Sequence, residues 1–131
     1  ESVPFKAELL IDPPNMPELM IWADLTISAG GSTCWELAFM GSSAIVGRTT
    51  DGEDMLINGL QKNDLFADSG WFKQLIDTEF VTLLINCIHD KEWRVAMNKK
   101  GPTIIDGHGS ERVVDQILKT GLRVEGVTVK G

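Results

Sequence analysis

Residues 23–37 read Ala-Asp-Leu-Thr-Ile-Ser-Ala-Gly-Gly-Ser-Thr-Cys-Trp-Glu-Leu, a short β-type run followed by a glycine turn and the start of a helix. Free backbone N–H groups and the positive end of the helix dipole converge where such a turn opens a helix, so this segment is suited to an anion such as phosphate. Glycine also occurs in many strand-to-helix turns only because it makes the turn. The residues of the turn alone leave both interpretations open.

The composition is that of an ordinary globular chain with a core of its own. Of its 131 residues 43% are hydrophobic and 24% charged, and a single domain over residues 1–131 is expected. The net charge of -7 argues against a nucleic-acid partner, which requires a broad basic surface, so any phosphate ligand is a small one held locally. No apolar run reaches the roughly 20 residues of a membrane span, so we expect no transmembrane segment and a cytoplasmic location.

The two cysteines and two histidines form no recognisable catalytic or metal-binding pattern. Cys34 and Cys87 stand among apolar neighbours and are expected to be reduced, buried thiols. His89 and His108 are isolated from any ligand spacing and are expected to be structural or solvated. We therefore expect no metal and no cofactor.

Strand and helix signals alternate along the chain. Short β-type runs predict strands over residues 5–11, 25–28, 43–46 and 65–67, and the second run is apolar enough to be expected to be buried on both faces. Caps, glycines and prolines predict helices over residues 15–23, 32–40, 53–61, 78–89, 91–100 and 110–119. Gly101-Pro102 is expected to end the fifth helix, and residues 120–131 to form a loose tail or an extra strand.

This alternation implies βα units, and therefore an α/β fold with a Rossmann-like parallel sheet and helices on both faces. In such sheets ligands bind beyond the carboxyl ends of the strands, where loops 11–15, 29–32 and 47–52 are expected to cluster. Neither the G-x-G-x-x-G dinucleotide fingerprint nor a P-loop is present.

Three segments in order carry a resemblance to a known family. They read Leu-Ile-Asp-x-x-Asn-Met-Pro-Glu-Leu-Met, Ala-Asp-Leu-x-Ile-Ser-Ala-Gly-Gly-Ser-Thr-x-x-Glu-Leu and Asp-Gly-x-Gly-x-x-Arg-Val-Val. From about residue 8 to residue 119 the chain resembles the C-terminal half of GT-B nucleotide-sugar enzymes. Within them it is similar to the UDP-sugar hydrolase of pseudaminic acid biosynthesis and to spore-coat polysaccharide proteins, and more distantly to the N-acetylglucosaminyltransferase that forms lipid II. The resemblance implies a UDP-sugar donor site in bacterial surface-glycan biosynthesis.

The resemblance also assigns roles to individual residues. It places the donor diphosphate on Gly30, Gly31, Ser32 and Thr33. Glu36 matches a glutamate that accepts hydrogen bonds from the ribose hydroxyls, although by itself an exposed first-turn glutamate is equally well explained by the helix dipole. Ile11, through its backbone, and Met16, by packing, fall where the family frames the uracil ring. As isolated residues these two are typical of plain core.

The chain departs from the family pattern after the third strand. Glu53 and Asp54 stand where the family carries two amides that hold the donor, and two carboxylates repel a diphosphate. Either the sugar contact is lost, or the pair faces hydroxyl groups or solvent. With Asp51 these carboxylates could alternatively attract a divalent cation, although such residues more often form a solvated helix start.

Three functional hypotheses follow. The first is the donor-binding domain of a UDP-sugar hydrolase or glycosyltransferase, inactive alone because the N-terminal GT-B half with its glycine-rich, histidine-containing loop is expected to be absent. A second is a self-contained enzyme that uses the carboxylates of Glu36, Asp51, Glu53 and Asp54, but no nucleophile and base have a visible spacing. The third is a non-catalytic α/β interaction module that has lost nucleotide binding. No catalytic residue is assigned.

Overall fold

The computed structural model describes residues 4–120, which form three strands, six α-helices and two short 3-10 turns. The tail predicted for residues 120–131 therefore lies, after Thr120, outside the described residues. Within residues 4–120 no helix is both long and apolar enough to cross a bilayer. In chain order the elements are α1 (Met16–Trp22), β1 (Thr26–Ala29), α2 (Thr33–Phe39), β2 (Ala44–Arg48), the 3-10 turn Asp51–Glu53, α3 (Asp54–Lys62), β3 (Ala67–Trp71), the 3-10 turn Phe72–Gln74, α4 (Asp77–His89), α5 (Lys91–Ile104) and α6 (Gly109–Lys119).

The three strands form one parallel sheet in the order β1-β2-β3. Thr26 is in register with Ala44, and Ile45 with Ala67. Each strand is joined to the next by a helix, which is the connection that parallel neighbours require. The predicted α/β class with a parallel sheet flanked by helices is confirmed.

The core lies around the central strand. Ala44 and Val46 on one face of β2 pack with buried side chains of α2 and α3, namely Cys34, Leu37, Ala38, Ile57 and Leu60. Ile45 is fully buried too, and because side chains alternate along a strand it points to the opposite face. On that face the ring of Phe72 lies against Gly47, where an added Cβ would come within 2.5 Å of it. Strand β2 is therefore covered on both faces.

Helix α5 crosses α2 where α2 turns into β2. Gly41, with a φ of 66°, ends α2 in the left-handed conformation that favours glycine, and the Ser42 N–H returns to the Leu37 carbonyl at 2.8 Å. The Ser43 hydroxyl then donates to the Arg94 carbonyl of α5 at 3.0 Å. The amino end of β2 is thereby hydrogen-bonded to α5. This contact does not involve the carboxyl end of β2, where a site can form.

Two predictions about the first strands are wrong. Residues 5–11 form no strand, and their apolar side chains are exposed. Leu9 and Ile11, for example, are both 83% exposed. A β-type sequence becomes a strand only where a partner and a packing surface are present, and within residues 4–120 this segment has neither. Strand β1 was expected to be buried on both faces, but Ile27 is 50% exposed because β1 lies at the edge of the sheet.

Two boundaries also differ from expectation. Helix α5 does not end at Gly101-Pro102 but continues to Ile104. Gly101 packs against the backbone of Ala38, so contact with α2 holds the helix through a sequence that would otherwise stop it. The strand predicted at residues 65–67 begins instead at Ala67 and runs to Trp71, because Leu65 is used as a core residue before the strand starts.

The contact at Gly101 yields a stability prediction. A Cβ at this position would lie 2.2 Å from the Ala38 carbonyl oxygen, so Gly101→Ala must push the two helices apart. We expect it to lower the free energy of unfolding by about 2 kcal/mol in urea titrations. The matched control is Gly59→Ala, where nothing lies within 4 Å of the added Cβ. There we expect a gain of up to about 1 kcal/mol from helix propensity, and equal losses at both positions would contradict the close packing.

Candidate functional site

The glycine turn lies where the carboxyl ends of β1 and β2 meet. The Gly30 N–H donates to the Gly47 carbonyl at 3.0 Å, which joins the turn to the carboxyl end of β2. A Cβ on Gly30 would lie 2.5 Å from the Ile57 side chain and 3.3 Å from the Cβ of Glu53. The start of α3 therefore lies directly against the turn. Loop 11–15, expected at the same rim, does not follow a strand.

The turn presents unused backbone donors. Within residues 4–120 the N–H groups of Gly31, Ser32 and Thr33 donate no hydrogen bond, and no side chain caps the start of α2. Ser32 and Thr33 are exposed, and space around Gly31 is open, with nothing within 4 Å of an added Cβ. Of the four residues assigned to a diphosphate, Gly30 alone has its N–H engaged within the sheet. Three donors on one short turn are suited to an anion.

Two further side chains of α2 flank the turn. Glu36, one helical turn after Thr33, is exposed and free of hydrogen bonds within the described residues, so its carboxylate is accessible. Cys34 is fully buried, and its thiol donates to the Ala29 carbonyl at 3.3 Å. Burial, with a smaller contribution from the charge of Glu53, raises the pKa of Cys34 to about 11. The thiol is therefore protonated at neutral pH and is not a nucleophile.

The carboxylate of Glu53 is bound within its own loop. It accepts from the Thr49 N–H at 2.6 Å, from the Thr49 hydroxyl at 2.7 Å and from the Thr50 N–H at 3.3 Å. With Thr50 it forms a capping box at the 3-10 turn that leads into α3. These bonds, above all the one from the Thr49 N–H, lower the pKa of Glu53. Its negative charge is thus retained beside the glycine turn.

Asp54 belongs to a network centred on Arg48. The Arg48 guanidinium donates through Nε to Asp54 at 2.8 Å and through Nη1 to both oxygens of Asp68, at 3.0 and 3.1 Å. Gln61 also donates to Asp68. This network was not predicted from the sequence, although an arginine that ends a buried apolar strand needs an acidic partner nearby. The network links the end of β2 to α3 and β3, and so fixes the loop that borders the turn.

The two residues expected to frame a uracil, Ile11 and Met16, lie before α1 and at its start. Ile11 lines an open groove of about 1080 Å³ formed by residues 6–22, and Met16 is 43% exposed at the start of α1. No residue of the glycine turn lines this groove. The structure brings the turn together with the start of α3, and the roles of Ile11 and Met16 remain predictions.

The remaining ionisable candidates are dispersed. Asp51 is exposed in the 3-10 turn before α3. His89 ends α4, and His108 Nδ1 lies 2.9 Å from Glu111 on the exposed start of α6. Across the described residues, no three His, Cys, Asp or Glu side chains gather closely enough to hold a metal ion.

Comparison with models of protein families, with curated proteins and with solved structures gave no match.

The Arg48 network predicts a stability difference between two arginines. The Arg48 side chain is 12% exposed, that of Asp68 20% and that of Asp54 54%, so Arg48→Gln leaves Asp68 without a counter-charge in partly buried surroundings and Asp54 unpaired at the surface. We expect the free energy of unfolding to fall by about 2 kcal/mol. Arg112→Gln breaks an exposed pair with Asp106 and serves as the control, for which we expect a much smaller loss. Equal urea midpoints for the two variants would argue against the network.

The capping carboxylate predicts a dependence of stability on pH. Because hydrogen bonding lowers the pKa of Glu53 in the folded state, its contribution is present above the ordinary value of 4.5 and is lost as pH falls through the lowered value. We expect the urea midpoint to fall on acidification below pH 4.5, and less steeply in Glu53→Gln. Glu36→Gln, which alters a carboxylate without hydrogen bonds in residues 4–120, is the control. Identical acid profiles for Glu53→Gln and the unaltered protein would refute the assignment.

Proposed function

We propose that this chain is a UDP-sugar-binding domain, the donor-binding part of a nucleotide-sugar hydrolase or glycosyltransferase of bacterial surface-glycan biosynthesis. The observation that carries the proposal is the set of unused N–H groups of Gly31, Ser32 and Thr33 at the carboxyl end of β1. An anion bound there accepts hydrogen bonds from these N–H groups, for which no described residue supplies an acceptor, at the edge of the sheet where α/β proteins bind ligands. A cytoplasmic location, expected from the sequence, is part of this proposal.

The ribose of the ligand extends along α2 in this proposal. Glu36 follows the turn at the spacing of one helical turn, and its exposed carboxylate can accept from two vicinal hydroxyls. The protonated, buried Cys34 supplies no nucleophile beside the turn. In this proposal residues 4–120 bind the donor, and no catalytic residue is assigned among them.

An alternative function, a non-catalytic α/β interaction module, is favoured by one observation. The Glu53 Cβ lies next to the glycine turn, and hydrogen bonds from Thr49 keep its carboxylate ionised. A carboxylate held near the turn weakens the binding of a diphosphate. Asp54, in contrast, is paired with Arg48 and adds little net charge to the rim.

Titration with UDP tests the proposed site. For the unaltered protein we expect a dissociation constant roughly between micromolar and millimolar, measured by calorimetry or NMR. Gly31→Asp adds a charge in open space, and Gly31→Asn adds nearly the same shape without the charge. We expect UDP to bind about tenfold more weakly to Gly31→Asp than to Gly31→Asn, because only the carboxylate repels the diphosphate.

Two further results separate the alternatives. Glu36→Ala is expected to weaken binding of UDP but not of inorganic pyrophosphate, because only UDP carries ribose hydroxyls. A loss for both ligands would contradict the ribose role. No binding of either ligand by the unaltered protein at millimolar concentration would favour the interaction module.

A further inference from the structure

The outer edge of β1 carries unpaired backbone groups. The N–H groups of Thr26 and Gly30 both point towards β2, where they donate to the carbonyls of Ser43 and Gly47. Because successive residues of a strand alternate in direction, the N–H and C=O of Ile27 point away from β2. Within residues 4–120, β2 is the only strand that pairs with β1. This edge is therefore open to a further strand.

The side chains beside this edge are apolar and uncovered. Ile27 is in register with Ile45, which is fully buried, yet Ile27 itself is 50% exposed. The side chains that cover Ile45 on this face of the sheet therefore do not extend over Ile27. Ile21 and Trp22, at the end of α1 just before β1, are exposed by 63% and 81%. Exposed apolar side chains on an edge strand and just before it are typical of a site where a peptide segment adds to the sheet.

The charge of the chain and of residues 4–29 indicates the kind of partner. Residues 4–29 contain one lysine and four acidic residues, all exposed, which are Glu8, Asp12, Glu18 and Asp24. None of the four takes part in a salt bridge within residues 4–120. Asp24 lies two residues before β1, beside the start of the open edge. The net charge of -7, together with Asp24 beside the edge, disfavours a second copy of the same chain and favours a basic segment.

We propose that the outer edge of β1 binds an extended polypeptide segment in which apolar and basic residues alternate, and that the segment adds to the sheet as a fourth strand. Main-chain hydrogen bonds to Ile27 supply affinity, and apolar side chains of the segment cover the exposed side chain of Ile27. The basic side chains face Asp24 and the neighbouring carboxylates. This surface is distinct from the proposed donor site, so the two proposals can fail independently.

Two synthetic peptides of about eight residues test the proposal, one alternating valine with lysine and the other valine with glutamate. We expect the lysine peptide alone to bind, with slower hydrogen exchange of the Ile27 amide by NMR and weaker binding at high salt. Ile27→Pro removes the outward N–H but no bond to β2, and is expected to weaken binding about tenfold. Asp24→Lys reverses the charge that the basic side chains are proposed to face and is expected to weaken binding of the lysine peptide. Glu92→Lys makes the same reversal of charge on the exposed face of α5 and is the control.

Three results would overturn the proposal. Equal binding of the two peptides, or binding of neither, excludes a basic strand as the partner. An Ile27 amide already protected in the free protein shows that the edge is occupied, either by residues 121–131 or by a second copy, and light scattering then distinguishes the two. A thermal unfolding curve verifies that Ile27→Pro is folded, and Asp24→Lys provides the same test without altering the strand.

Discussion

The burial of β2 on both faces is the constraint on which the rest of the structure depends. Strand β2 is hydrogen-bonded to a neighbour on each side and packed on both faces, so its first four residues are buried. The elements that bury it are therefore held in place by contact with it. Helices α2 and α3 cover Ala44 and Val46, and Phe72 lies on the opposite face. Arg48, the last residue of the same strand, has to be neutralised because it emerges from this packed centre, and its pairing with Asp54 and Asp68 follows from that position.

The sequence predicted the elements around β2 because their signals are local. The glycine turn, the helix that follows it, the stop at Gly41 and the amphipathic helix α4 all depend on residues within a few positions of one another. The failures involve contacts distant in the chain. Residues 5–11 have the composition of a strand but no partner in the described structure, and α5 passes through Gly101-Pro102 because α2, more than 60 residues away, packs against it.

In the candidate site, too, the features set by neighbouring residues were predictable and those set by the folding of a loop were not. The unused N–H groups of the turn were predictable, since they follow from a strand, a glycine turn and a helix start in sequence. The partners of Glu53 and Asp54 were not, because hydrogen bonds from Thr49 and an ion pair with Arg48 depend on how the loop folds back on itself.

The two glycines of the turn differ in their surroundings, and this makes position 31 useful as an attachment point. Any side chain on Gly30 collides with Ile57, whereas one on Gly31 enters open space. Both native cysteines are buried, and burial raises the pKa of each thiol. A thiol introduced as Gly31→Cys is therefore the one that a maleimide dye modifies at neutral pH. A fluorophore there stands over the free N–H groups of α2, where its emission reports the arrival of a ligand without a change in the packed sheet beneath.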